Sequence, residues 1–322
     1  MFKKKIMILL VSVIVFTLCV GFSSVSFGAE KESYYFILIP KLVHPWYQDV
    51  LNGAKEAAEF INSTGDYDVR IEWNAPTVCD PAVQVSAIEA AIAKKPDGIS
   101  IAAVDSDSVV PVIDKGIEMG ICMTCFDVDA PKSKRLFYVG RWDCTPDGAK
   151  MGEFIAKEIN YEGEVAMLLG TPTALNHQQR NAGFRQVMAK YPKIKIVAEA
   201  YDNDDLEKAV SLTRGMIAAN PNLKGIFGGN ATAPIGICKA IEEAGKVGKI
   251  VTVGEEDLPE MIEMVKNGVT KATLVQRVHQ EGFWIVMEMW YYLNRGHRPP
   301  EIFDTDTFWV YQKDLDVYTQ WK

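Results

Sequence analysis

Lys41, His44, Trp46 and Tyr47 share one short stretch, Pro40-Lys41-Leu42-Val43-His44-Pro45-Trp46-Tyr47. A cation, an imidazole and two adjacent aromatic rings exceed what a chain reversal requires. Flat aromatic faces pack against the apolar C–H patch of a pyranose or furanose ring, while polar neighbours hold its hydroxyls. Asp127, in Phe126-Asp127-Val128-Asp129, ends an apolar run and is able to accept two hydrogen bonds from vicinal hydroxyls. A second group follows: Asn176, His177 and Gln178 together, Asn230 after Gly229, Glu256 after Val253-Gly254-Glu255, and Gln276 after Thr273-Leu274-Val275. Amides donate and accept and carboxylates orient donors, so this mixture suits a neutral polyhydroxylated ligand, whereas a phosphate or carboxylate ligand would want an arginine cluster. The plainer alternatives are that Trp46 and Tyr47 staple a helix to the core and that Asp127 is a solvated loop residue.

These residues must be positioned by short apolar runs that alternate with amphipathic stretches of helical length. Residues 35–39, 69–73, 98–102 and 121–126 read as strands, with helices over 46–61, 81–93 and 108–119 between and around them. Residues 137–140 make a linking strand. A second series follows, with strands at 163–169, 195–200, 225–227 and 250–253 and helices over 176–190, 204–219, 234–244 and 258–267. Alternation of this kind implies parallel sheets, and open parallel sheets bind ligands outside the carboxyl ends of their strands. The expected fold is therefore α/β, with two doubly wound parallel-sheet lobes, a ligand cleft between them, and a last segment (271–276, 281–293 and 303–310) that supplies elements to both and makes a multi-strand hinge. The lobe boundaries expected are 29–143 plus 277–304 and 144–276 plus 305–322.

The full chain has 322 residues, 48% of them hydrophobic, enough for two cores of ordinary size. Lys3, Lys4 and Lys5, the apolar run 6–20 and the small residues 21–29 have the order of an export signal, with cleavage expected after Gly28. The run is shorter than the ~20 residues of a membrane-spanning helix, so a retained anchor is the lesser alternative. Cys19 offers a lipid anchor, although Leu18 stands where lipoprotein signals want a small residue. Loss of three leader lysines takes the formal charge from −8 to −11, and the scattered basic residues offer no nucleic-acid footprint. Of the remaining cysteines, Cys122 and Cys125 are spaced like a redox motif. In a strand, however, they point to opposite faces with their Cα atoms ~10 Å apart, too far for a disulfide. Buried thiols, with one long-range disulfide as the alternative, are expected.

The order of these landmarks resembles the type I periplasmic sugar-binding proteins of ABC importers, the ribose- and galactose-binding kind, across the whole mature chain. The resemblance rests on His44-Pro45-Trp46-Tyr47, Ala103-Val104-Asp105-Ser106-Asp107, Phe126-Asp127, Arg180-Asn181-Ala182-Gly183-Phe184, Gly229-Asn230, Val253-Gly254-Glu255-Glu256 and Leu274-Val275-Gln276. It implies ligand contacts at His44, Trp46, Tyr47, Asp127, Asn230, Glu256 and Gln276, and it brings Asp105 and Arg180 into the candidate site beside Lys41, Asn176, His177 and Gln178. It also implies a membrane permease as partner, a monomeric receptor, and no cofactor or metal. Glu256 stands where the ribose branch has an aspartate, and Val128 and Gln178 stand where it often has arginines. Pro40-Lys41-Leu42-Val43 is similar to the autoinducer-2 receptor branch, which implies a furanone-derived ligand as the alternative and a signalling role with it.

Enzymatic alternatives find little support. The four histidines show no HExxH spacing, and neither a GxSxG elbow nor a glycine-rich phosphate loop occurs. Asp127 and Glu256 remain conceivable as a glycosidase carboxylate pair. A repressor of similar core would begin with a helix-turn-helix domain.

Overall fold

Residues 36–39 are apolar at every position, and successive strand residues point to opposite faces, so this strand has to be covered on both sides. A computed structural model describing residues 32–318 shows how. The first lobe opens with β1 (Glu32–Ile39), α1 (Pro45–Ser63), β2 (Tyr67–Trp73), α2 (Pro81–Ala93), β3 (Gly98–Ile101), α3 (Val110–Glu118), β4 (Cys122–Phe126) and β5 (Tyr138–Gly140). The second contains α4 (Thr145–Glu158), β6 (Gly163–Leu169), α5 (Leu175–Met188), β7 (Ile194–Tyr201), α6 (Leu206–Ala219), β8 (Leu223–Gly228), α7 (Ala233–Glu243), β9 (Gly254–Glu255), α8 (Pro259–Lys266) and β10 (Ala272–Gln276). The chain closes with α9 (Val278–Arg295), β11 (Ile302–Asp304), β12 (Thr307–Tyr311) and α10 (Leu315–Tyr318).

The strands β11-β5-β4-β3-β1-β2 form one sheet, parallel throughout. Phe36 and Leu38 face a core shared with α1 and α9, and Ile37 and Ile39 face one shared with α2 and α3. Each such side chain, fully buried, stabilises by ~1.5–3 kcal/mol. In the other lobe β7-β6-β8 is parallel, and Val165 and Met167 face α4 and α5 while Ala166 and Leu168 face α6 and α7. The chain crosses between lobes after β5, after β10 and after β11, which is the expected multi-strand hinge.

Three local expectations are corrected. Residues 250–253 do not make a full strand: Val251 forms a single bridge to Gly225, and the strand proper is β9, paired with β10. The extended stretch 303–310 is two strands in two sheets, and β12 runs antiparallel to β10, so the second lobe is mixed at its edge. Residues 137–140 are more than a link, because β5 sits inside the six-stranded sheet between β4 and β11.

Helices on the same sheet face approach so closely that only glycine fits between them. A Cβ on Gly53 would collide with the His279 carbonyl oxygen, and one on Gly282 with that of Val50, so α1 and α9 touch backbone to backbone. Gly148 and Gly183 meet the carbonyls of Arg180 and Thr145 in the same reciprocal way between α4 and α5. Cys122 and Cys125 face opposite cores, and all five cysteines among the described residues are free thiols, so the long-range disulfide is absent there. The leader, residues 1–28 with Cys19, lies outside the described residues.

Candidate functional site

Loops that follow the carboxyl ends of strands in both lobes converge on a cleft with about 380 Å³ of empty space, part of it open to solvent. Gln84, wholly buried on α2, ties the first-lobe loops in place: its amide donates to the carbonyls of Pro40 (3.2 Å) and Ala102 (2.7 Å) and accepts from Val104 N (2.7 Å). Lys41 leaves β1 toward the cleft and His44 caps α1, its Nδ1 accepting from Trp46 N at 3.1 Å. Capping fixes the first turn, so Trp46 and Tyr47 both line the cleft, their rings in edge contact at 5.0 Å. The Tyr47 hydroxyl donates to Asp127 Oδ2 at 2.5 Å. Asp127 ends β4 at φ +50°, a left-handed turn that aims its carboxylate inward.

The second lobe answers across the gap. Asn176 Nδ2 donates to Asp127 Oδ1 (3.1 Å), and Thr173 Oγ1 donates to the Val104 carbonyl (3.1 Å), so the lobes are closed on each other. His177 Nδ1 accepts from Thr171 N at 2.8 Å, which leaves its Nε2–H facing Asp204 Oδ1 at 3.9 Å. Arg180 donates to the Gly229 carbonyl (3.1 Å) and pairs with Glu255 Oε1 (2.7 Å). Glu256, left-handed at φ +66°, accepts from Gln276 N (3.2 Å) and Gln276 Nε2 (2.5 Å). The Trp46 Nε1–H is buried beside this carboxylate.

Of the thirteen candidate residues, ten line the cleft: Lys41, His44, Trp46, Tyr47, Asp127, Asn176, His177, Arg180, Glu256 and Gln276. Asp105, Gln178 and Asn230 do not. Asp105 caps its own loop, accepting from Asp107 N and Ser108 N. Gln178 lies on the exposed side of α5 and donates to the Pro172 carbonyl. Asn230 stands behind the wall, its Nδ2 donating to Asp202 (2.9 Å) and Asp204 (2.8 Å). Val128, where the ribose branch often has arginine, is core. Sequence reasoning missed Asp204 and Glu255. Asp204, read as the start of a helix, is instead a left-handed loop residue (φ +62°) in the cleft, and Asp205 is the N-cap of α6.

Burial governs the electrostatics. It pushes the Glu256 carboxyl up to about 7, and that of Asp202 behind the wall to about 7 with Asp204 adding to the effect. It pushes Asp127 up too, against the pull of Lys41. Burial, helped by Lys41, holds His177 down at about 3, hence neutral. Burial would raise Asp204 as well, but the Lys41 charge and the bonds from Thr171 and Asn230 hold it below the usual carboxylate range. Burial opposes the charge on Lys41, yet Asp204 and Asp127 keep it firmly protonated. The result is a cleft closed between the lobes, with neutral amides, one aromatic wall and charges of both signs. Its side chains are paired with one another, Tyr47 and Asn176 with Asp127, Arg180 with Glu255 and Gln276 with Glu256.

Two parallel-sheet lobes joined by three crossings, with a cleft at their strand ends, define a venus-flytrap binding protein. A family profile described as a periplasmic binding protein domain matches residues 35–297, and the chain belongs to that family. It is similar to the D-ribose/D-allose-binding protein of Pseudomonas aeruginosa, at 27% identity over 280 residues, covering 83% of this chain and 85% of that one. It is also similar to the D-allose-binding periplasmic protein of Escherichia coli, at 28% over 258 residues, 78% of this chain and 81% of that one. Among solved structures it resembles an ABC transporter solute-binding protein from Burkholderia graminis in complex with D-arabinose. That match has 31% identity and a TM-score of 0.83 and covers 89% of this chain and 98% of the other.

Proposed function

We propose that this protein is an exported solute receptor that captures a neutral monosaccharide or sugar alcohol between its lobes and delivers it to an ABC permease. The observation that carries this reading is the composition of the closed cleft, in which Trp46 and Tyr47 wall one side and Asp127, Asn176, Glu256 and Gln276 supply hydroxyl partners from both lobes. Relatives named for ribose, allose and xylitol, and a structure with D-arabinose bound, support the sugar class. Closure around the ligand stores its affinity in contacts that only the closed form makes. The ligand contacts are the ten cleft residues with Asp204 and Glu255 added, and the lobes divide at residues 143/144, 276/277 and 304/305. Among the described residues no helix is long and apolar enough to cross a membrane; in this reading residues 1–28 are a cleaved export leader and the mature receptor acts as a monomer outside the cytoplasm.

Lys41 lines the cleft, and the likeness of its loop to the autoinducer-2 receptors supports including a furanone in the ligand panel. Calorimetric and thermal-shift titration with aldoses, ketoses, alditols and furanones tests the reading. A polyol should raise the melting temperature, and Asp127→Ala should weaken the tightest one at least tenfold, about 1.4 kcal/mol. Stabilisation by amino acids or aromatic acids alone would sink the sugar class, and a furanone preferred over every sugar would favour the signalling role.

A further inference from the structure

One arrangement in the cleft goes unused by a simple tally of hydroxyl partners. Lys41, in the first lobe, is 5% exposed, and its Nζ lies 4.0 Å from Asp127 Oδ2 in its own lobe and 4.0 Å from Asp204 Oδ2 in the other. Neither distance is a hydrogen bond. Among the described residues, the ammonium has no acceptor within bonding reach, although it carries three donors. Both carboxylates are held rigidly in this position. Asp127 is gripped by Tyr47 and Asn176, and Asp204 by Thr171 Oγ1 (2.7 Å) and Asn230 (2.8 Å). Neither is free to swing onto the lysine, so the two 4.0 Å gaps are built into the walls.

The chemistry that fits such a gap is narrow. A hydroxyl oxygen accepts from an ammonium and donates to a carboxylate at once. Placed about 2.8 Å from both, it spans 4.0 Å at roughly a right angle, within the range of its own donor and acceptor directions. A ligand carboxylate or carbonyl could accept from Lys41 but has no proton to return to either aspartate, and a carboxylate would bring a third anion to the pair. A ligand ammonium would face Lys41 directly. There are two gaps on one ammonium, one opening to each lobe, and two hydroxyls on adjacent carbons are close enough to each other to reach that one nitrogen together and fill both.

We propose that the Asp127–Lys41–Asp204 bridge is the specificity-determining element of closure: it selects ligands with a vicinal diol, one hydroxyl filling the Lys41–Asp127 gap and its neighbour the Lys41–Asp204 gap. The inference rests on the transport reading above and sharpens it. Asp204 is then a ligand contact that acts only in the closed state, because its lobe must arrive before its gap exists. A sugar lacking that hydroxyl still binds the first lobe but loses the advantage of closing.

The test is a cycle of ligand and protein changes. D-Ribose, D-allose, D-arabinose and xylitol are titrated calorimetrically into the mature protein, and the tightest is compared with its monodeoxy analogues on wild type, Asp204→Asn and Asp127→Asn. Melting temperatures and small-angle scattering check that each variant is folded. The expected result is one carbon at which deoxygenation costs wild type at least tenfold and Asp204→Asn less than threefold, with the same pattern at an adjacent carbon for Asp127→Asn. Lys41→Met should lower affinity for the parent sugar and abolish both couplings. Equal deoxygenation costs in wild type and Asp204→Asn at every position, or coupled positions that are not adjacent, overturn the diol assignment and leave the sugar reading standing. If none of the four binds but another sugar or alditol does, the same cycle is run on that ligand. Binding by no polyol overturns both.

Discussion

At the scale of single residues, three cleft carboxylates, Asp127, Asp204 and Glu256, occupy the left-handed backbone region that non-glycine residues rarely visit. Each thereby leaves the direction its strand or loop would have given it and turns into the cleft. This is also where sequence reading falls short. The order of the landmarks put Glu256 in the site and left Glu255 out of it, and the helical spacing read from residue 204 onward hid the place of Asp204 in a loop before the helix. Asp127 was legible because it ends an uninterrupted apolar run, and Lys41, Trp46 and Tyr47 because a connector rarely holds such residues. Asp105 and Gln178 have the right residue types in the right loops, but a hydrogen bond to the local backbone, in each case, claims the side chain.

The raised carboxyls also set a pH dependence. Glu256 and Asp202 stay protonated in the folded protein up to about 7, whereas unfolded they ionise near ~4. Their contribution to stability is therefore complete below about pH 4 and drains away as the pH rises through 7. His177, held neutral down to about 3, works in the other direction, but only below its unfolded value of ~6.5. Above pH 6.5 the opposing contribution of His177 fades, and Glu255, which burial pushes up to about 8, extends the loss beyond that of Glu256 and Asp202, so the melting temperature of the ligand-free protein should fall between pH 6.5 and 8.5. Glu256→Gln should fall less steeply. Parallel curves for the two proteins would mean that Glu256 ionises as an ordinary carboxyl.

At the scale of elements, the two lobes repeat one device. Gly53 and Gly282 on the first pair of crossing helices, and Gly148 and Gly183 on the second, let backbones meet without side chains between them. Helical periodicity located these helices, yet it could not say which would touch, because a glycine in a helix looks like a defect until its partner's carbonyl is known. Overpacking costs ~1–3 kcal/mol, so Gly282→Ala should lower the urea midpoint accordingly while leaving ligand affinity within about threefold. Full stability in that variant would show that α1 and α9 separate easily. The corrected elements have a similar explanation: β9 is too short to register as an apolar run, and β11 and β12 are adjacent in sequence but belong to different sheets.

At the scale of the whole molecule, the alternation of apolar runs and amphipathic stretches was enough to read two doubly wound lobes, because that pattern has few other solutions. The path of the last segment was legible only as a necessity of topology. Gln276 shows what that path achieves, since it ends β10 at one of the three crossings and also lines the cleft, bonded to Glu256. It sits at the fulcrum, where opening moves atoms least. Thr173 and Val104 meet across the cleft farther from the crossings, since Val104 follows β3, two strands away from β5, and the same rotation moves them more. A sugar therefore enters past this contact and settles against a part of the site that barely changes, and the outer bond forms last. Contacts at the end of a long lever govern how long the jaws stay shut and not how fast they are found. Stopped-flow fluorescence on Thr173→Val should accordingly show faster release with an unchanged association rate, and a slowed association would place that bond earlier in the closing sequence. The protein is thus geared: its grip is set near the axle and its dwell time at the rim, and the two are open to separate adjustment.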